Sequence, residues 1–197
     1  NMRKTALLSS IILVMGFLFL VFDQLFIQPE LVPANQIQLG RTFTHHSNDV
    51  WEVKFSPNDS LMVSGGIEKN AKIWSRISGD VLFELPHTLG TPAVDFAPNG
   101  KHVATGAYDG KVRIWDVETG KLRRVLHGNQ DTVWSLAYSP NGALIAAGGN
   151  DDHVYVWNVE TGQLVFEFKD SEKNIWEVVF NPSGELLLAS GSDNLIR

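Results

Sequence analysis

The chain contains no cysteine among its 197 residues. This absence excludes a disulfide framework, a thiolate zinc site, a cysteine nucleophile and a lipid-modified cysteine. Basic residues are in the minority, with 16 Lys+Arg against 22 Asp+Glu and a net charge of −6. Because binding to phosphates needs a concentrated basic face, we expect no nucleic acid partner. The hydrophobic fraction of 44% is that of a globular protein.

Sequence motifs that carry catalysis or hold ligands are absent as well. The neighbouring His45 and His46 would point to opposite faces of a strand, which is not a metal-binding spacing, and segment 150–154 lacks the residue order of a calcium loop. No glycine pair opens a phosphate-binding helix, and no serine lies in a Gly-x-Ser-x-Gly elbow. We therefore expect no catalytic residue, no cofactor, no metal and no small-molecule ligand.

The N-terminal segment is much more apolar than the rest of the chain. After Arg3 and Lys4, residues 6–22 carry no charge, and the apolar character resumes after Asp23. A membrane-spanning helix needs about 20 apolar residues, and this run lacks the regular polar positions of a soluble helix. The pattern predicts one transmembrane helix at residues 6–27, retained as a signal anchor.

The charges that flank this run predict its orientation. Basic residues precede it and acidic residues follow it, so the positive-inside rule leaves residues 1–5 in the cytoplasm. Residues 28–36 carry two prolines and form a linker to an extracytoplasmic domain. A cleaved signal peptide and a secreted product are the alternative, because Val32 and Ala34 fit a small-residue cleavage pattern.

The chain after residue 36 is an internal repeat. One landmark is the proline of a turn after the first strand of each unit, with spacings of 41, 42 and 42 residues, and a tryptophan repeats at the same interval. These residues are Pro57, Pro98, Pro140 and Pro182, and Trp74, Trp115 and Trp157. Each unit contains short alternating strands separated by turn residues, which indicates an all-β architecture. A period of this length with a Trp-Asp landmark, here Trp115-Asp116, is typical of a propeller blade.

The repeat resembles that of the WD40 family over residues 37–197. The second unit carries the resemblance most closely, with His87, the run FAPNG at 96–100, Thr105, Asp109 and Trp115-Asp116. The resemblance implies an incomplete WD40-type β-propeller of three full blades and part of a fourth, preceded by the transmembrane helix. The implied boundaries are a closing strand at 37–44 and repeats at about 45–86, 87–127, 128–169 and 170–197.

The resemblance also implies a hydrogen-bonded tetrad of His, Ser/Thr, Asp and Trp within each blade. Position by position, the four units offer His46, Ser64, Glu68 and Trp74; His87, Thr105, Asp109 and Trp115; Asn129, Ala147, Asp151 and Trp157; and Ser171, Ser190 and Asp193. Only the second set is complete. Ala147 has no hydroxyl, so we expect the third network to be open or filled by water.

The fourth unit stops at Arg197, two residues before its expected tryptophan, and Asn1 precedes Met2. We therefore expect an N-terminal fragment of a longer protein, with about three further repeats. In this interpretation residues 37–44 close a ring whose final blade is absent from the chain.

Trp51, Trp134 and Trp176 occupy equivalent positions near the start of the first strand of three units, and the second unit has Ala93 there. They are explained either by packing between blades or by a partner-binding surface. The resemblance implies a membrane-anchored, non-catalytic scaffold for protein–protein interaction, with the partner unknown. The alternatives are a substrate-presenting module of an enzyme whose catalytic domain lies beyond residue 197, and a ligand site in the channel, which the apolar inner strands disfavour.

Overall fold

A computed structural model describes residues 40–169 and 171–197. The chain divides into two compact units, residues 1–42 and 43–197, and only residues 40–42 of the first unit are described. All of the features below lie in the second unit.

The described residues form fourteen antiparallel strands. They are β1 (Val50–Phe55), β2 (Leu61–Gly66), β3 (Asn70–Ser75), β4 (Val81–Pro86), β5 (Ala93–Phe96), β6 (His102–Gly106), β7 (Val112–Asp116), β8 (Leu122–Leu126), β9 (Val133–Tyr138), β10 (Leu144–Gly149), β11 (Val154–Asn158), β12 (Leu164–Phe168), β13 (Ile175–Phe180) and β14 (Leu187–Gly191). Strands β1–β4, β5–β8 and β9–β12 form three four-stranded sheets in chain order, and β13 pairs with β14. We call these sheets blades 1 to 4.

The predicted fold class is wrong in its N-terminal helix. The described residues contain strands and turns but no helix, and no helix among them could cross a membrane. Residues 6–27, on whose hydropathy the prediction depended, lie outside the described residues. The fold is therefore an all-β repeat fold, and the four sheets do not by themselves show a closed ring.

The predicted closing strand at residues 37–44 is described only from residue 40 onward and stays a prediction. Residues 40–44 adopt no strand. Phe43 packs edge-on against Trp74 of β3, with ring centroids 5.8 Å apart.

The hydrophobic core lies between successive blades. Val63, Ile73 and Leu85 of blade 1 pack against Val94 and Trp115 of blade 2. A second cluster joins blade 2 to blade 3, and a third joins blade 3 to Ile175 and Val178 of blade 4. Each blade therefore buries its apolar faces only against its neighbours, as in other repeat architectures.

Side-chain hydrogen bonds add a second link between successive blades. Glu52 accepts a bond from the backbone N–H of Val94 at 2.8 Å, and Ser135 accepts one from Val178 at 3.1 Å. Asp95 accepts a bond from the backbone N–H of Tyr138 at 2.9 Å. We call the first strand of each blade, β1, β5, β9 and β13, its inner strand. The inner strands are thus fixed in register with one another as well as packed.

Candidate functional site: an aromatic row on one rim

The two rims of the blades are defined by the direction of their inner strands. We call the edge where β1, β5, β9 and β13 begin the upper rim, and the edge where they end the lower rim. Trp51, Trp134 and Trp176 are each the second residue of their inner strand and therefore lie at the upper rim. The strand register aligns Ala93 with Glu52 because each faces the glycine that follows the hydroxyl residue of the next strand, Gly106 and Gly65 respectively. Pro92, not Ala93, thus takes the tryptophan position in blade 2.

The three tryptophans form one continuous row. The ring centroids of Trp51 and Trp134 lie 6.0 Å apart, and those of Trp134 and Trp176 lie 5.6 Å apart. Tyr108 packs its ring edge-on against Trp134 at 5.6 Å. The Trp134 indole N–H donates to Asn150 Oδ1 at 2.5 Å, which fixes the central ring.

The row is both a packing element and an exposed surface. Trp51 is 55% exposed and Trp176 is 47% exposed, while Trp134 between them is half-buried. Trp51 and Trp134 come from blades 1 and 3, so the row crosses blade 2 at the inner strands. Large, rigid and partly exposed indoles supply much of the binding energy at protein interfaces.

In blade 1 the structure brings all four predicted network residues together. Trp74 Nε1 donates to Ser64 Oγ at 2.7 Å, and His46 Nε2 lies 2.6 Å from the same oxygen. His46 Nδ1 contacts Glu68, which also pairs with Lys72. Burial acts to raise the pKa of Glu68, but hydrogen bonds from Lys72 and Ser47 lower it to about 2.

Blade 2 has the predicted residues but divides them into two groups. Trp115 Nε1 donates to Thr105 Oγ1 at 2.8 Å, and Thr105 lies 2.8 Å from His87 Nε2. His87 Nδ1 bonds to the carbonyl of Leu85 rather than to Asp109. The proton is therefore on Nδ1, and Nε2 accepts from the threonine hydroxyl. Burial lowers the pKa of His87 to about 4.

Asp109 instead forms its own charged group in blade 2. It accepts hydrogen bonds from Arg113 at 3.1 and 2.6 Å and from Thr88 Oγ1 at 2.9 Å. Although burial opposes the shift, the bonds from Arg113 and Thr88 lower the pKa of Asp109 to about 2. Asp109 is one methylene shorter than Glu68, which contacts both Lys72 and His46 in blade 1.

Blade 3 retains Asp151 and Trp157 but not the connection between them. Trp157 Nε1 donates to the main-chain carbonyl of His127, and Asp151 accepts from the backbone N–H of Gln130 at 2.6 Å. Both polar atoms of the Asn129 side chain and Asp151 Oδ1 are buried without a hydrogen-bond partner. Such unpartnered atoms are the physical consequence of an alanine at position 147.

In blade 4 the register corrects one predicted residue. Ser190 pairs with Glu177, which is the place that glycine takes in the other blades, and Ala189 stands opposite Val178 at the hydroxyl position. The prediction of Ser190 was therefore displaced by one residue. Asp193 accepts bonds from Arg197 at 2.6 Å and Ser171 at 3.2 Å.

A group of charged residues on the inner strands was missed from the sequence. Lys54 pairs with Glu52 at 3.0 Å, and it interacts electrostatically with Asp95 and Glu177. Burial raises the pKa of Asp95 to about 6 and also raises that of Glu177. The available signal was charge at alternate positions of strands otherwise rich in valine. Among the described residues, no cluster of His, Asp or Glu could hold a metal ion.

Several characterised proteins are similar to parts of this chain. The Periodic tryptophan protein 2 homolog of Schizosaccharomyces pombe is 32% identical over 95 residues, which cover 48% of this chain and 11% of the relative. The WD40 repeat-containing protein HOS15 of Arabidopsis thaliana is 31% identical over 118 residues, covering 55% of this chain and 19% of that protein. The COMPASS component SWD3 of Saccharomyces cerevisiae is 28% identical over 95 residues, covering 47% of this chain and 30% of that protein.

A profile of the WD domain, G-beta repeat, matches most of the chain. The matched segments are residues 37–75, 79–116, 120–158 and 162–197. The second to fourth of them begin just before β4, β8 and β12. The family repeat therefore starts with the last strand of one blade and continues into the next blade. The chain therefore belongs to the WD40 repeat family.

Proposed function

We propose that this protein is a non-catalytic scaffold for protein–protein interaction, and that the aromatic row of Trp51, Trp134 and Trp176 binds its partner. The observation that carries the proposal is the contiguous row itself, with its two end rings about half exposed. Trp134, whose blade has a neighbour on each side, is still only half-buried.

The relatives support an interaction role. SWD3 is a component of COMPASS, and the chicken relative, 30% identical over 76 residues, is a receptor-associated protein. The chain spans less than a third of the length of the first three relatives it matches. The partner of this chain is therefore inferred from its own surface.

The surface chemistry suits a partner with an apolar or flat aromatic anchor. Truncation of a central aromatic residue at an interface typically costs about 2 kcal/mol or more of binding free energy. Trp134 is held by Asn150 and Tyr108, so the row is preorganised and little side-chain freedom is lost on binding.

The test is affinity capture from an extract of the source organism, quantified by mass spectrometry. The variant Trp51→Ala with Trp176→Ala removes the two exposed rings and leaves the half-buried Trp134 in place. Phe166→Ala with Phe168→Ala is the matched control, because these two stacked rings on β12 are 54% and 46% exposed. We expect a discrete set of proteins that the phenylalanine control retains and the tryptophan variant loses. Equal loss in both variants, or no loss in either, contradicts the proposal.

A further inference from the structure

A recess lies on the lower rim, between blades 2 and 3. It has a volume of about 160 Å³, and its polar lining comes from Asn99, His102, Arg123, Asn158 and Glu160. These residues come from the turns and strand ends opposite the aromatic row. The recess is therefore separate from the surface proposed above.

The repeat shows that folding does not require polar residues at the positions of His102 and Arg123. His102 stands opposite Asp116 in blade 2. At the equivalent positions, Leu61 stands opposite Ser75 in blade 1 and Leu144 stands opposite Asn158 in blade 3. The position of Arg123 is taken by Leu82 in blade 1 and by Val165 in blade 3. Blade 2 therefore has His102 and Arg123 at two positions where both neighbouring blades have apolar residues.

The two basic side chains meet at short distance. Arg123 Nη1 donates to His102 Nε2 at 2.7 Å, and because a guanidinium only donates, the imidazole accepts and is neutral. Arg123 Nη2 donates to Glu160 Oε2 at 3.2 Å. Glu160 is 82% exposed, so the carboxylate is held by one weak surface pair and is easily displaced.

The lining also offers hydrogen-bond donors that face no protein acceptor. The side-chain oxygens of Asn99 and Asn158 accept bonds within their own turns, from Lys101 and Thr161 respectively. Within the described part of the chain, neither amide nitrogen has an acceptor. Arg124 beside them donates to the carbonyls of Glu160 and Thr161 and holds the two blades together at this seam.

We propose that this recess binds a carboxylate side chain from an acidic segment of a partner protein, which displaces Glu160 from Arg123. The guanidinium then pairs with the incoming carboxylate, and the asparagine amides stand ready to donate to its remaining oxygen lone pairs. The chain as a whole carries a charge of −6, so bulk attraction does not explain such binding. It depends on the local donors instead.

Binding in this recess is coupled to proton uptake. Burial and the charge of Arg123 lower the pKa of His102, with Lys101 acting in the same direction and Asp116 and Glu160 opposing it. The carboxylate adds negative charge beside His102 while Glu160 stays close by in its turn, and protonation of the imidazole breaks its bond from Arg123 and frees the guanidinium for the carboxylate. By linkage, affinity for an acidic segment rises as the pH falls toward and below the usual histidine range.

The test is an NMR titration of the histidine ring signals with a short oligoglutamate peptide at constant ionic strength. We expect the His102 signal to shift, its pKa to rise when the peptide is bound, and affinity to increase from pH 7.5 to pH 6. Arg123→Leu, which copies blade 1, should weaken binding about tenfold or more. Glu160→Gln should strengthen binding, because it removes the internal competitor. Lys111→Leu, on the opposite rim, is the charge-matched control and should leave affinity unchanged.

Each outcome of this titration decides the proposal. If the Lys111 variant lost as much affinity as the Arg123 variant, the binding would depend on total charge alone. That result would overturn the proposal. Weaker binding by Glu160→Gln, or shifts at other histidines without His102, would overturn it as well. A parallel titration with inorganic phosphate distinguishes a general anion site, and tighter binding of phosphate than of the peptide contradicts a carboxylate partner. A negative result in this titration does not contradict the role of the aromatic row, because the row is tested with different variants.

Discussion

The indole N–H of Trp157 donates a 3.0 Å hydrogen bond to the main-chain carbonyl of His127. In blades 1 and 2 the equivalent indoles donate to the hydroxyls of Ser64 and Thr105. The difference follows from Ala147, which stands where the other two blades have a hydroxyl. Blade 3 thereby keeps its tryptophan satisfied but leaves Asn129 and Asp151 with buried unpartnered atoms.

Restoring the hydroxyl should stabilise blade 3. Ala147→Ser places an oxygen between Trp157 and Asn129, and one regained hydrogen bond contributes about 0.5–1.5 kcal/mol to the free energy of unfolding. Chemical denaturation measures this gain. Ala146→Ser is the control, because the neighbouring side chain packs in the apolar cluster with Val154 and Ile175. It should destabilise the protein, and equal effects of the two variants would rule out the network explanation.

Removal of Asp109 should destabilise blade 2 through Arg113, which is only 8% exposed. We expect Asp109→Ala to lower the free energy of unfolding by about 1–3 kcal/mol, since it strands the buried charge of Arg113. Asp116→Ala, at the end of β7 where the carboxylate bonds to Thr119, should have a smaller effect. A loss under about 0.5 kcal/mol would show that the Asp109 pairing does not stabilise the fold.

The contribution of Asp109 has a defined pH range. Its pKa is lowered to about 2 from 3.8, so the stabilisation is complete above pH 4 and is lost as the pH falls toward 2. The difference in stability between wild type and Asp109→Ala should therefore shrink over this range.

Asp95 should have the opposite dependence on pH. Burial raises its pKa to about 6 from 3.8, so between these values the folded protein holds a proton that the unfolded chain has released. Stability from this group is greatest below pH 4 and is lost as the pH rises through 6.

Asp95→Asn tests this dependence because the amide oxygen can still accept the bond from the N–H of Tyr138. The variant should match wild type near pH 3.5 and exceed it by about 1–3 kcal/mol at pH 7.5. Denaturation curves at the two pH values measure this difference in stability. A variant that is less stable than wild type at pH 7.5 contradicts the account.

The first lower-rim turn contains a residue in an unfavourable conformation. Asp59 has a φ of 58°, in the place where the corresponding turns have Gly100 and Gly142 at 69° and 70°. Glycine adopts this region without strain, so Asp59→Gly should raise the free energy of unfolding by about 0.5–1 kcal/mol. Gly100→Asp is the reciprocal control and should lower it. Differential scanning calorimetry measures both, and a fall in stability of the Asp59 variant would contradict the strain argument.

The sequence predicts the repeat and the strand content because period, turn prolines and buried tryptophans are local features. Pairing between side chains is less predictable. Ser190 was assigned to the blade 4 network, although the 42-residue period leads from Ala147 to Ala189, which also takes that place in the strand register. Asp109 was assigned to His87, yet the guanidinium of Arg113 competes for it. The competition between Arg113 and His87 is not visible in spacing alone.

The two surfaces differ in how far the sequence could reveal them. Equivalent positions of Trp51, Trp134 and Trp176 suggested a shared face, although only the structure shows that the rings touch. His102 and Arg123 are 21 residues apart and depart from the repeat, so the repeated pattern gives no signal for them. In a repeat protein, positions where one blade differs from its neighbours deserve the same scrutiny as the shared ones.

The most direct test of the aromatic row is the ratio of dissociation constants for one purified partner from the capture experiment. The partner is titrated against wild type, the Trp51→Ala with Trp176→Ala variant, and the Phe166→Ala with Phe168→Ala control. The account predicts at least about tenfold weaker binding for the tryptophan variant, equivalent to about 1.4 kcal/mol, and an unchanged constant for the control. A tryptophan variant that binds as tightly as wild type, or a control that loses as much affinity, would contradict a partner-binding role for the row.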